Sequence, residues 1–292
     1  MSSQDQLFDV AVIGAAGQTG RPIVRALSRR GMRVKAVVHH HNQAEQTPEA
    51  AEIEAIELDN VAGLTSVLKN AAVAYYIPPV FNAREEEFGA NIISAAIAAK
   101  LPRLVYHSVM HASTPSMPHH ARKARVELAL RESPLTWTII QPAMYSQTPL
   151  AFLNTERTQL RVGFDPQKLF TPVDLEDLAE AVTTVLLDNS HEYATYELAG
   201  MQRLSFLDMA EAISGVLKRQ VTISSLPSTL VASAAAMRLG PKALFVVKAM
   251  LDHYNAHGFI GNSNVLRMLL RRNSLIFSEV MKRDLKDSLC QN

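Results

Sequence analysis

Residues Gly14-Ala-Ala-Gly17-Gln-Thr-Gly20 stand between a β-branched run, Phe8-Asp-Val-Ala-Val-Ile13, and a stretch from Arg21 to Arg30 that carries Ile23, Val24 and Leu27 at helical spacing. Strand, tight glycine turn and helix in that order bring backbone N–H groups to a helix N-terminus, where a pyrophosphate can approach. Each glycine has its own reason: Gly14 permits the sharp turn, Gly17 lets the backbone come close to a phosphate, and Gly20 lets the helix pack on the strand. The candidate phosphate-binding positions are therefore Gly14, Ala16, Gly17, Gln18, Thr19 and Gly20. A phosphate-hydrolysing P-loop is disfavoured, because that motif needs Gly-Lys-Ser/Thr and Gly20 is followed by Arg21-Pro22.

The same alternation continues. Strands are expected over 33–38, 53–58, 72–77, 103–108 and 136–140, with helices over 61–68, 85–100 and 123–131 between them. Strands alternating with helices imply a Rossmann-type, doubly wound parallel α/β sheet covered on both faces. After Pro142 the alternation weakens, leaving an amphipathic helix over 173–187, short strands over 195–198 and 221–224, a helix over 205–217 and further helices from Pro227 onward. We read residues 1–150 as the dinucleotide-binding domain and 151–292 as a smaller, mainly helical lobe, some of whose segments return to the sheet.

Bulk properties narrow the function classes. A formal charge of +1 gives no clustered basic face for nucleic acid. The apolar stretch 226–251 is broken by Pro227, Arg238, Gly240, Pro241, Lys242 and Lys248, so no membrane span is expected. The polar start, Met1 to Gln6, lacks the basic flank and apolar run of a secretory signal. The one cysteine, Cys290, can build neither a disulfide framework nor a thiolate metal site. A cytoplasmic protein is the expectation, and no metal site is assigned.

The second strand of an NAD binder delivers an acid to the ribose 2′-hydroxyl. Here the strand ends Val38-His39-His40-His41-Asn42, without a carboxylate. An imidazole at His39, helped by Arg21, tolerates or attracts a 2′-phosphate, so NADP(H) is preferred and NAD remains possible. His40 and His41 read equally well as a solvated loop.

Further along, Glu57-Leu-Asp59-Asn60, Lys123 with Glu127, Leu130-Arg131-Glu-Ser133-Pro-Leu135-Thr-Trp137-Thr-Ile139-Ile-Gln-Pro142, Phe170-Thr-Pro-Val-Asp174-Leu-Glu-Asp177-Leu-Ala and Tyr196-Glu-Leu-Ala-Gly200 with Leu204-Ser205-Phe form a recognisable series. With the GxxGxxG spacing, it resembles the NmrA-like branch of the atypical short-chain dehydrogenase/reductases, over roughly 9–285. The resemblance implies Asp59 and Asn60 beside the adenine, Ile77 and Pro78 along the cofactor, Ser108 at the end of the fifth strand and Lys123 near the nicotinamide ribose. It also implies Pro142 and Tyr145 at the nicotinamide end. Each has a plainer alternative: a helix cap for Asp59, a strand-end cap for Ser108, a solvated helix residue for Lys123.

Ordinary short-chain reductases pair tyrosine and lysine as Tyr-x-x-x-Lys, the lysine lowering the phenol's pKa. His119 stands where that tyrosine is expected, four residues before Lys123 and on the same face of a helix. His119 and Lys123 are thus the candidate catalytic residues, although His119 and His120 also read as exposed residues near a helix start. His107 and His111 lack a third ligand and are not read as a metal pair. Met144, Tyr145 and Gln147 suit a flat aromatic or quinone-like substrate, and hydride transfer to one needs orientation more than a dedicated acid. Two functions follow: an NADPH-dependent reductase of a small quinone, enone or aromatic acceptor, or a non-catalytic redox sensor whose cofactor occupancy reshapes a surface for a regulatory protein. A nucleotide-sugar epimerase shares the glycine motif but needs the absent tyrosine and ranks last. The oligomeric state is not specified by the sequence.

Overall fold

Short runs rich in valine, isoleucine and alanine form strands buried on both faces, whereas the intervening stretches place their apolar residues at helical spacing. The computed structural model describes residues 8–154 and 158–289, so Met1 to Gln6 and Cys290 lie outside the described residues. In chain order the first half holds β1 (Phe8–Ile13), α1 (Gly20–Arg29), β2 (Val34–Val38), β3 (Glu52–Ala55), α2 (Val61–Leu68), β4 (Ala71–Tyr76), α3 (Glu85–Ala99) and β5 (Arg103–His107). There follow α4 (Pro118–Arg131), β6 (Thr136–Pro142), α5 (Thr148–Ala151), β7 (Leu153–Asn154), β8 (Gln159–Val162), β9 (Leu169–Phe170), α6 (Leu175–Leu187) and β10 (Ala194–Leu198). The chain ends with β11 (Leu204–Ser205), α7 (Phe206–Leu217), β12 (Thr222–Ser225), α8 (Ser228–Leu239), α9 (Ala243–His257), α10 (Asn264–Leu270) and α11 (Phe277–Leu289).

The chain divides into two compact units. The first takes residues up to Ala112 with Arg122–Gln141 and Ala179–Tyr196; the second takes Ser113–Ala121, Pro142–Leu178 and the chain from Glu197. In the first unit a seven-stranded sheet runs in the order β10-β6-β5-β4-β1-β2-β3, with β1 parallel to both β2 and β4, and β5 parallel to both β4 and β6. Alternate residues Ala11, Ile13, Ala74, Tyr76, Leu104 and Tyr106 pack with Leu64 and Leu68 of α2, Ile92 and Ala96 of α3, and Val126 and Leu130 of α4. Residues of the other parity, Val10, Val12, Tyr75 and Val105, are equally buried, so the sheet is covered on both faces. Between β1 and β4 the connections leave in opposite directions along the sheet, which makes their carboxyl ends the topological switch point, the position where such sheets bind ligands.

Two departures from the sequence expectation have local causes. α4 begins at Pro118 rather than near Lys123, because proline lacks only an N–H that the first helical turn leaves unbonded in any case. It thereby includes His119 and His120, which are buried rather than exposed. The short strands β7, β8, β9 and β11 were not foreseen. In the second unit β8 pairs with β7 and β12, β9 pairs with β11, and Phe164, Phe170, Phe206 and Tyr254 interlock with ring centroids 5.0–5.9 Å apart. Among the described residues no helix is long and apolar enough to cross a membrane.

Candidate dinucleotide-binding site

The glycine loop lies at the switch point, directly after β1. Gly14 has φ +86°, and a Cβ there would sit 2.6 Å from the Ile77 carbonyl oxygen at the end of β4. A Cβ on Gly20 would sit 2.3 Å from the Gly14 oxygen and 2.5 Å from the Ala15 oxygen, so the loop can fold back onto α1 only with glycine there. Gly17 differs, since its φ is ordinary and a Cβ would meet only the Gly14 oxygen, at 3.3 Å. Folding does not demand glycine at 17. Gly17 and Gln18 are exposed, whereas Ala16, Thr19 and Gly20 are buried, so the tip of the loop stands outward with no side chain at Gly17, whose N–H turns back to the Gly14 oxygen at 3.1 Å. α1 begins at this tip with no acidic residue in its first turn and with Arg21 exposed, so no acid of that turn offsets the positive end of its dipole.

At the end of β2 the exposed rings of His39 and His40 lie 3.7 Å apart, and both backbone N–H groups donate to Gln43 Oε1 at 3.1 Å. The segment then turns through a short 3-10 helix, His41–Gln46. Ile77 is half-buried, its N–H donating to the Ile13 oxygen at 3.0 Å, and Pro78 is buried beside it. Asp59 is exposed and joined to Arg84 by two hydrogen bonds, 2.5 and 3.0 Å. The cap of α2 is Asn60, whose side chain accepts from the Gly63 N–H at 2.9 Å.

The next two residues sit in buried polar clusters that the sequence did not reveal. Lys123 of α4 donates to Glu85 Oε1 of α3 at 2.6 Å, with side-chain exposures of 13% and 1%. Tyr106 donates to the same oxygen at 3.3 Å. Ser108 is buried, and its hydroxyl donates to Glu127 Oε1, which also accepts from Gln141 at 2.7 Å; Arg131 pairs with the other oxygen at 3.1 Å. The Tyr75 hydroxyl meets His107 Nδ1 at 2.5 Å, and burial, with the Lys123 charge adding to it, pushes that histidine down to about 3. Tyr76 is buried beside these groups, stacked on Tyr106 at 5.8 Å, and burial raises its phenol with Glu85 reinforcing the shift.

Within the second unit, Pro142 is buried, Tyr145 is half-buried and bridges to Val173, and His119 is buried with its ring edge-on to His120 at 4.4 Å. Gln147 is not available to a substrate through its amide nitrogen, which donates to Asp174 at 2.7 Å and Asp284 at 2.9 Å. Asp174 also accepts both Arg283 bonds at 2.8 and 3.0 Å. Burial opposes its charge, but the Arg283 guanidinium and the Gln147 amide hold it below the usual carboxylate range. Asp177 pairs with Arg272 at 2.8 Å and accepts the Leu275 N–H at 2.7 Å. The two aspartates therefore clamp the C-terminal segment and are structural.

The fold recurs in known proteins. Quinone oxidoreductase 2 of Escherichia coli (strain K12) is 24% identical over 221 residues, 74% of this chain and 77% of that protein. A crystal structure of an NADPH-dependent quinone oxidoreductase from Escherichia coli in complex with NADPH superposes with a TM-score of 0.81 at 23% identity, covering 94% of this chain and 99% of the other. The structure of NmrA, a negative transcriptional regulator, in complex with NADP superposes with a TM-score of 0.76 at 19% identity, covering 97% of each chain. The profile of the NmrA-like family matches residues 8–265. With that match running through both units, the chain belongs to the NmrA-like family.

Proposed function

We propose that the chain is an NADPH-dependent reductase of a quinone, an enone or another aromatic acceptor, working in the cytoplasm, with the cofactor held chiefly by residues 1–150. The observation that supports it most is the exposed Gly17–Gln18 tip at the switch point, where a position without a side chain meets the N-terminus of a helix with no acid in its first turn. The residues fit a dinucleotide phosphate: the cradle excludes side chains at Gly14 and Gly20, and Gly17 keeps the exposed tip free of a side chain. His39 and Arg21, with no carboxylate at the end of β2, suit a 2′-phosphate. Resemblance to quinone and NADPH-binding relatives supports the same reading.

When bound, NADPH supplies the hydride. The chain's own work is orientation: the loop fixes the pyrophosphate, Asp59, Asn60, Ile77 and Pro78 flank the adenosine side, and Lys123, with Ser108 hydrogen-bonded to Glu127 one turn further along α4, holds the nicotinamide ribose. Pro142 and Tyr145 are the residues this reading gives to the nicotinamide end. Reduction of a quinone takes one proton besides the hydride, and Lys123 and His119, one helical turn earlier, are the candidate donors. The test is acceptor-dependent loss of NADPH absorbance with a soluble quinone, comparing the native chain with Gly17→Asp and Lys123→Ala. Turnover that Gly17→Asp abolishes and Lys123→Ala reduces supports the proposal. Tight NADPH binding with no turnover on quinones, enones or azo dyes refutes it.

That second outcome is the redox-sensor reading, favoured by the likeness to a transcriptional regulator and by the absence of a tyrosine four residues before Lys123. In a sensor, oxidised and reduced cofactor bind with different affinities, and a regulatory protein is the partner.

A further inference from the structure

A buried carboxylate is costly unless it is paired, and replacing such a pair by apolar side chains often leaves a protein no less stable. Glu85 is 1% exposed, and among the described residues its one ion pair is with Lys123. Its second oxygen is buried without a hydrogen-bond partner. Tyr106 donates to the oxygen that Lys123 already uses, so two donors converge on Oε1 while Oε2 is left over. That arrangement is poor as a stabilising device. It is good at one thing: pinning the Lys123 ammonium, whose long stem would otherwise swing freely.

Resting on the cofactor reading above, we propose that Glu85 is a positioning residue, and that the Tyr106–Glu85–Lys123 chain fixes the lysine ammonium against the nicotinamide ribose. Three features converge on it. Glu85 opens α3, where the helix dipole favours a carboxylate. Arg125, two residues after Lys123, ties to Glu86 at 2.7 Å, so the start of α3 and the middle of α4 are held together at two adjacent points. Both tyrosines and Glu85 lie at the carboxyl end of the sheet, Tyr106 one residue from the end of β5 and Tyr76 at the end of β4.

The experiment measures, by calorimetry, the affinity of the full chain for NADPH and for adenosine 2′,5′-bisphosphate, which lacks the nicotinamide riboside. Glu85→Gln keeps the shape but removes the charge. The expected result is that it weakens NADPH by about tenfold, the loss of one charge-assisted hydrogen bond, and leaves the bisphosphate unchanged. In a Lys123→Met background the same substitution should weaken NADPH no further. A merely structural Glu85 would weaken both ligands alike or neither, and either result overturns the inference. If the native chain binds neither ligand, the cofactor reading itself fails and the inference with it. Should Glu85→Gln not fold, Tyr106→Phe takes its place: a loss of NADPH affinity of about threefold with bisphosphate binding intact supports the chain of contacts, and equal effects on the two ligands overturn it.

Discussion

Alanine at Gly17 and alanine at Gly20 should separate folding from binding. At Gly20 the new methyl would lie 2.3 Å from one backbone oxygen and 2.5 Å from another, neither of which can move without reshaping the loop. Overpacking of that kind costs about 1–3 kcal/mol or more. At Gly17 the only close atom is the Gly14 oxygen, one of those two, but at 3.3 Å, so a shift of a few tenths of an ångström by the exposed tip itself relieves it, and alanine outside the left-handed region regains about 0.4–1 kcal/mol through the unfolded chain. Gly17→Ala should therefore fold as stably as the native chain. Its methyl, however, stands on the exposed tip where a pyrophosphate would take backbone N–H bonds, each worth about 1.5–3 kcal/mol to a charged group, so NADPH affinity should fall by about 10- to 150-fold. Chemical denaturation with and without NADPH reads both effects. At a concentration 100-fold over the native dissociation constant, NADPH should stabilise the native chain by about 2.7 kcal/mol, and a variant 100-fold weaker by about 0.4 kcal/mol. Unchanged NADPH affinity in Gly17→Ala, or a Gly20→Ala chain as stable as Gly17→Ala, would refute the reasoning.

Three other expectations use different parts of the molecule. His39→Asp should weaken NADPH and strengthen NADH, moving the preference by about tenfold or more, because a carboxylate repels a 2′-phosphate and accepts from a 2′-hydroxyl; parallel titrations check it. Asp174→Ala should destabilise the chain by about 1–3 kcal/mol, since it removes the buried acceptor that Arg283 and the Gln147 amide share while both keep Asp284, and urea denaturation would show no such loss if the clamp were incidental. Burial lowers His107 from 6.5 to about 3 in the folded chain, so between those values the unfolded state binds a proton that the folded state refuses. Its contribution is thus complete above pH 6.5 and is lost as pH falls toward 3, at about 1.4 kcal/mol per unit, and His107→Asn should flatten that slope in denaturation curves taken across the window.

The legible parts of the fold were those written in local pattern. The β1–loop–α1 unit could be read because the left-handed backbone at Gly14 and the oxygens of Gly14 and Ala15 packed against Gly20 force glycine at both positions, and the apolar-rich runs of β1, β2, β4 and β5 fit a sheet buried on both faces. Pro118 is the residue in the sequence that marks the start of α4, five positions before Lys123. β7, β9 and β11 are two residues long, too short for any period to register. In the candidate site, the bare tip at Gly17 and the histidines after β2 were legible, whereas the pairing of Lys123 with Glu85 joins residues 38 apart on two helices. Asp174 and Asp177 stood out as a motif, but their purpose depends on Arg272 and Arg283, about a hundred residues later, and the Gln147 amide proved to belong to that clamp rather than to a substrate.

The central claim is that the loop from Gly14 to Gly20 holds the pyrophosphate of a dinucleotide, with the residues after β2 selecting the 2′-phosphate. Calorimetric titration of the full chain with NADPH and NADH, repeated on Gly17→Asp, tests it most directly. The account predicts saturable binding, tighter for NADPH, that Gly17→Asp abolishes. Failure of both dinucleotides to bind, or binding indifferent to Gly17→Asp, would contradict it.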